Sequence, residues 1–189
     1  MAKWHGFGRC KTRLARDIGK NNSSKVQNFM TKHTISVAKS LQEIKLIDIC
    51  IAISGLGKKN CKRWSKELGI KNYNLQGKGC LGEKMKRQVI INKKFCAQNQ
   101  IKNIIFIGTD LPDLCHLDLL KTISELTQND LVLGPSNDGG YWLIGLSAKM
   151  LSKHLHLPFI NIKWSKENVL QNTIDNFAST KLKYKFLDE

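Results

Sequence analysis

The chain has 189 residues, 41% of them hydrophobic and 24% charged, which is the make-up of one globular domain and excludes collagen, coiled coil and disorder. No apolar run reaches the roughly 18–20 residues of a membrane helix, and the opening MAKWHGFGRC has no signal-peptide core. The net charge of +16 comes from 26 lysines and only five arginines, with the lysines spread along the chain, so most of it reads as solvated surface.

In chain order, Lys11 to Ile18 predicts one or two helical turns closed by Gly19. Asn22-Ser23-Ser24 is expected to cap a second helix to about Gln42, with Val26, Phe29, Met30, His33 and Val37 on one face. Leu46 to Ser54 reads as a strand and Cys61 to Leu68 as a short helix. Leu75 begins a glycine-rich loop to Gly82, and a helix follows from about Glu83 to Gln98. The apolar run from Asn103 to Ile107 predicts a buried parallel strand. Leu117 to Thr127 is a helix, Asp130 to Leu133 a strand, and Tyr141 to Leu146 another. Ser165 is expected to cap a helix to about Phe177, and Leu182 to Phe186 is a last short strand. Strands alternating with helices give one α/β domain over residues 1–189, a doubly wound, mostly parallel sheet. The cysteines at 10, 50, 61, 80, 96 and 115 form no CxxC pair, so free thiols and a cytoplasmic chain are expected.

Ligands of such sheets bind beyond the carboxyl ends of the strands, and the polar and glycine clusters fall there. Gly108-Thr109-Asp110-Leu111-Pro112-Asp113 puts the Asp110 carboxylate after a buried strand, where a divalent ion could bridge phosphates; Asp113 reads equally well as a turn or cap residue. Asn137-Asp138-Gly139-Gly140-Tyr141 is a turn sequence that brings a second acid to the same edge. Gln76-Gly77-Lys78-Gly79-Cys80-Leu81-Gly82 precedes a helix, whose first backbone N–H groups attract anions. It is neither a phosphate-binding GxxxxGK[ST] loop nor a dinucleotide fingerprint. Finally, Arg9, Arg13 and Arg16 fall within eight residues in a chain that otherwise uses lysine. The planar guanidinium suits phosphate, so Lys11 and Arg13 are phosphate candidates. No histidine set has metal spacing, and no Ser or Cys has a nucleophile-elbow context.

Together the clusters resemble a bacterial family of uncharacterised glycosyltransferases with the GT-A, or nucleotide-diphosphosugar transferase, fold. The blocks that carry the resemblance are Gly8-Arg9-Cys10-Lys11-Thr12-Arg13-Leu14, Gln76 to Met85, Gly108 to Leu114, Gly134-Pro135-Ser136-Asn137-Asp138-Gly139-Gly140-Tyr141 and Trp164-Ser165. Cys80 stands where the family pattern has aspartate, Lys84 where it has arginine, and Phe7 or its neighbour where it has proline. The pattern also has a central first strand ahead of Trp4. Ala2-Lys3-Trp4 is expected to be its tail, so that strand reads as truncated.

The resemblance implies transfer of a sugar from a nucleotide-diphosphate sugar to an unknown acceptor, with Mg²⁺ or Mn²⁺ on the diphosphate. Asp110 and Asp138 would be the metal ligands. Asp110, Asp138, Lys11 and Arg13 would be the catalytic set, with Lys11 and Arg13 on the phosphates. Gln76, Gly77, Gly79 and Gly82 would form the base and ribose pocket, and Gly139 and Tyr141 would complete the nucleotide-sugar site. A more distant similarity to phospholactate guanylyltransferases and sugar-phosphate nucleotidylyltransferases implies the alternative of nucleotidyl transfer from a nucleotide triphosphate with release of pyrophosphate. An inactive homologue is a further alternative. A basic nucleic-acid-binding domain is the competing class, and it leaves Asp110, Asp138 and the glycine loops unexplained.

Overall fold

The computed structural model describes residues 1–95, 102–164, 166–178 and 180–188. The chain divides into two compact units, Met1–Gln76 with Gly108–His116, and Gly77–Ile107 with Leu117–Glu189. The architecture is mixed α/β, with strands and helices alternating for most of the chain.

The first unit holds a parallel sheet in the order β1-β2-β3, formed by Ala2–Lys3, Cys50–Ser54 and Asn72–Leu75. Ala2 pairs with Ile53, and Ile51 with Tyr73. The third strand is additional to the elements read from the sequence, and it takes in Leu75, where the glycine-rich loop is expected to begin. The backbone of Gln76 continues the ladder by donating to Ile53 O at 2.9 Å.

Helix α1 spans Leu14–Glu43 and is broken at Gly19, where φ 82 and ψ 159 leave the helical region. The expected break is therefore present, but Asn22 to Ser24 do not form a cap. Asn22 Nδ2 donates back to Ile18 O, Ser23 Oγ to Lys20 O, and Ser24 Oγ to His5 O. The expected buried face is also corrected. Phe29 is 73% exposed, and the buried stripe is Ser23, Gln27, Thr31, Thr34, Ile35, Ala38 and Leu41. Helix α2, Lys58–Glu67, starts at an extended Gly57 and buries Cys61, Trp64 and Ser65. The unit's apolar core joins Ile35, Ile51, Ile53, Cys61, Trp64, Leu68 and Ile70.

The second unit holds a sheet in the order β4-β6-β5-β7, formed by Ile104–Ile107, Tyr141–Leu146, Leu131–Pro135 and Tyr184–Phe186. Strands β5 and β7 are parallel. The β4 strand, expected to pair in parallel, runs antiparallel to β6, as β5 does through a hairpin. Over the described residues, three of the five strand pairings are parallel. Leu131, Val132, Leu133, Leu143 and Leu146 are fully buried, which explains why these strands read as continuous apolar runs.

Its helices are α3 (Leu81–Phe95), α4 (His116–Glu125, from its second residue), α5 (Ala148–His154) and α6 (Val169–Ala178). Ser147 caps α5 by accepting from Met150 N. The buried Asp130 accepts from Ser147 Oγ at 3.3 Å and from Lys183 N at 3.1 Å, so one carboxylate joins α5 to the approach of β7. Ser165, the expected cap of α6, and the expected end of α3 near Gln98 lie outside the described residues, as does Cys96. No disulfide links Cys10, Cys50, Cys61, Cys80 or Cys115.

Candidate functional site

The first unit brings two of the predicted residues together. Lys11 Nζ lies 3.1 Å from Asp110 Oδ1, although 98 positions separate them in the chain. The Lys11 side chain is 17% exposed and that of Asp110 60%. Lys11 has a φ of 42°, in the left-handed region that few non-glycine residues adopt. It follows Gly8, with a φ of 68°, in a tight loop closed by Arg9 N donating to Gly6 O. Lys11 O then accepts from Ala15 N, which joins the loop to α1.

Asp110 is anchored through its neighbour. Thr109 is buried, and its Oγ1 accepts from Gln27 Nε2 at 3.4 Å; the same amide donates to Thr31 Oγ1. Arg13, just ahead of α1, is exposed, as is Arg9. Gln76 is placed differently from the expectation that it meets a base. It is buried, and its Nε2 donates to Ala2 O at 3.1 Å and to Ala52 O at 3.0 Å. Both amide hydrogens therefore bind β1 to β2.

In the second unit, the glycine loop has backbone reasons for its glycines. Gly77 and Gly79 have φ of 74° and 109°. A Cβ on Gly77 would meet Arg87 Nη1 at 2.6 Å, and Arg87 Nη2 donates to Lys78 O. This arginine, a brace beneath the loop, was not singled out from the sequence. At the loop's end Cys80 N donates to Glu83 Oε2 at 2.8 Å. That is the returning half of a capping box at the start of α3. This backbone donor is the leading reason that the Glu83 carboxyl sits below its usual range. A cysteine at the cap position hid the motif in the sequence.

The turn between β5 and β6 is held by Asp138. Its Oδ1 accepts from Ser136 Oγ at 2.6 Å and from Gly140 N at 3.1 Å. The Ser136 hydroxyl first, and then the Gly140 N–H, hold the Asp138 carboxyl below its ordinary value. Gly139 has a φ of 78°, and a Cβ there would run into the backbone carbonyl of Glu167. Its own O accepts from Leu170 N at 2.9 Å, in the first turn of α6. Tyr141 stands edge-on to Trp164, with ring centroids 6.5 Å apart at 85°. The Tyr141 Oη is buried beside Thr173, and burial raises the pKa of its phenol while the Thr173 hydroxyl draws it partly back. Thr173 donates its own proton to Val169 O, which leaves its oxygen to accept from Tyr141. Trp164 also lies where a Cβ on Gly82 would be, at 2.5 Å, so Gly82 makes room for the indole.

Among the described residues no three His, Cys, Asp or Glu side chains gather as a metal cage. A magnesium-type ion on a diphosphate needs only one or two protein carboxylates, with phosphates and water completing its shell. Asp110 fits that minimal set. It is a hard oxygen donor facing solvent, and a cationic group, the Lys11 ammonium, already rests against it. Asp138 offers less, since two donors of its own turn already hold Oδ1.

Residues 37–166 match a family described as "Uncharacterized protein conserved in bacteria (DUF2064)". The chain belongs to this family. None of the curated proteins compared with it matches. Among solved structures, it is similar to a putative nucleotide-diphospho-sugar transferase from Desulfovibrio desulfuricans G20. The TM-score is 0.78 at 25% identity, over 98% of this chain and 76% of that one. A 4-diphosphocytidyl-2C-methyl-D-erythritol synthase from Anaerococcus prevotii DSM 20548 shares the fold. There the TM-score is 0.52 at 16% identity, over 84% of this chain and 78% of that one. The fold is that of the nucleotide-diphospho-sugar transferases, as the motif blocks implied.

Proposed function

We propose that the protein transfers a sugar from a nucleotide-diphosphate sugar to an acceptor, with Mg²⁺ or Mn²⁺ on the diphosphate. The observation that carries this reading is the Lys11–Asp110 pair, a cation and a carboxylate meeting in a fold similar to that of the Desulfovibrio protein. Asp110 is the residue that would hold the metal. When bound, the metal offsets negative charge on the departing diphosphate. Lys11 and Arg13 neutralise phosphate oxygens, Lys11 from a sheltered position and Arg13 from the surface. Gly77 and Gly79 present loop backbone to the base and ribose, and Gly82 supports the loop by admitting the Trp164 indole. Gln76 acts one step back, fixing the strand end from which Gly77 departs. Asp138, Gly139 and Tyr141 contact the sugar or the acceptor, with Asp138 presented as a carboxylate by its turn.

Nucleotidyl transfer is the second reading, favoured by the cations Arg9, Lys11 and Arg13 within five residues, a density suited to a triphosphate. A thermal-shift screen of nucleotide sugars and nucleotide triphosphates, with and without Mn²⁺, tests both. Glycosyl transfer predicts Mn²⁺-dependent stabilisation by a nucleotide sugar that Asp110→Asn abolishes while the variant's own melting transition stays intact. Pyrophosphate release from a triphosphate would select nucleotidyl transfer. No shift with either ligand class would refute the proposal.

A further inference from the structure

We propose that the Lys11 ammonium holds the place of the divalent cation on Asp110 until a nucleotide diphosphate arrives, so that metal and nucleotide load together and bare metal is turned away. This deepens the proposed function and rests on it. The backbone that carries the carboxylate is tied from behind, because the neighbouring Thr109 is buried and accepts from Gln27 on α1. The lysine backbone is tied too, by Ala15 N donating to its carbonyl. What can move is the side chain, a compact charge on a flexible stem, which approaches Oδ1 at 3.1 Å.

A bare divalent ion arriving at Asp110 meets this ammonium at contact distance. It must displace the ammonium and then sit beside a like charge, with only one carboxylate between them. An ion that arrives on a diphosphate brings its own anions. The phosphate oxygens give Lys11 a new partner when it leaves Asp110, and they separate the two cations. The exchange moves the ammonium from carboxylate to phosphate and breaks no covalent bond.

The decisive measurement is Mn²⁺ binding to the protein alone, read by the loss of the free Mn²⁺ electron paramagnetic resonance signal. Lys11→Met keeps the stem and removes the charge, and Lys11→Arg keeps the charge. Lys11→Met should bind bare Mn²⁺ about three- to tenfold tighter than the wild type, the span of one partly exposed charge contact. Lys11→Arg, whose fork can hold both Asp110 oxygens, should bind bare Mn²⁺ no tighter than the wild type. With Mn²⁺ and UDP or GDP together, Lys11→Met should bind more weakly than the wild type. Matched circular dichroism spectra and melting curves guard against misfolding. Bare Mn²⁺ binding by Lys11→Met no tighter than by the wild type, including no binding at all, overturns the inference. Asp110→Asn separates this from the parent reading: if Mn²⁺-dependent nucleotide binding survives that substitution, the metal assignment itself is wrong.

Discussion

Replacing Gly139 by alanine should unfold the turn that carries Asp138, and the cost can be built from its parts. The φ of 78° is one that an L-residue adopts at a cost of about 1–2 kcal/mol. The new Cβ would overlap the backbone carbonyl of Glu167. Backbone cannot swing aside as a side-chain tip can, so the turn or the segment before α6 must shift, adding about 1–3 kcal/mol. That shift also strains the Gly139 O–Leu170 N bond at 2.9 Å, worth about 0.5–1.5 kcal/mol. The total is about 2.5–6.5 kcal/mol, a large part of the ~5–15 kcal/mol that a domain holds. Urea denaturation of both proteins gives the difference, and hydrogen exchange at the Leu170 amide reports the local bond. Gly19→Ala is the control. Its φ of 82° and ψ of 159° lie in a region essentially confined to glycine, but nothing lies within 4 Å of the added Cβ, so its loss, about 1–3 kcal/mol, is backbone strain alone. A loss for Gly139→Ala no greater than that for Gly19→Ala, with Leu170 still protected, would refute the steric argument.

The remaining predictions concern charge and capping. The Asp138 carboxyl is depressed in the folded protein by Ser136 and Gly140, so the unfolded chain binds its proton first as pH falls. The stability it contributes is therefore present above the ordinary carboxylate pKa, and is lost as pH drops through the folded value. A melting series from about pH 6 to pH 2.5 should show a shallower acid decline for Asp138→Asn than for the wild type; parallel curves would remove Asp138 from the linkage. Cys80→Ser should raise stability by about 0.5–1 kcal/mol, because a hydroxyl at that position can accept from the first turn of α3 while Glu83 keeps its bond to residue 80. An unchanged denaturation midpoint would count against the cap. Arg13→Ala should weaken binding of a nucleotide diphosphate about tenfold while sparing the nucleoside, whereas Lys181→Ala should do neither. Equal losses from both would assign binding to diffuse surface charge.

Legibility in the sequence followed local dominance. Strands β2, β4, β5 and β6 are apolar runs that announce themselves, and the β5–β6 turn follows from Asp-Gly-Gly. Strand β3 was hidden because Asn72-Tyr73-Asn74-Leu75 owes its form to pairing with β2. The buried face of α1 was misread for a related reason. Apolar periodicity points to Phe29 and Met30, but the inward residues include Ser23, Thr31 and Thr34. Each of these satisfies its hydroxyl on a carbonyl of its own helix, Lys20, Gln27 and Met30 respectively. Once its hydroxyl is satisfied locally, a serine or threonine can face inward at little cost, so hydrophobicity alone does not choose the face.

The site was legible as residue types and illegible as partnerships. Gly-Thr-Asp marks a carboxylate after a strand, and Gly-Arg-Cys-Lys-Thr-Arg marks a cationic loop, but neither names the other. Their juxtaposition is a long-range product of the fold. Gln76 shows the opposite error, since an amide in a glycine loop looks available until its hydrogens are found on two strand carbonyls. The choice of cation at each position carries the last step. Arg9 and Arg13 are exposed, where a planar fork can take phosphate oxygens in pairs. Position 11, on Asp110, has lysine. A guanidinium there could grip both carboxylate oxygens and keep them, whereas a single ammonium meeting Oδ1 leaves a contact that can be exchanged. If Asp110 takes a metal as proposed, that exchangeable contact is the one that would let it go.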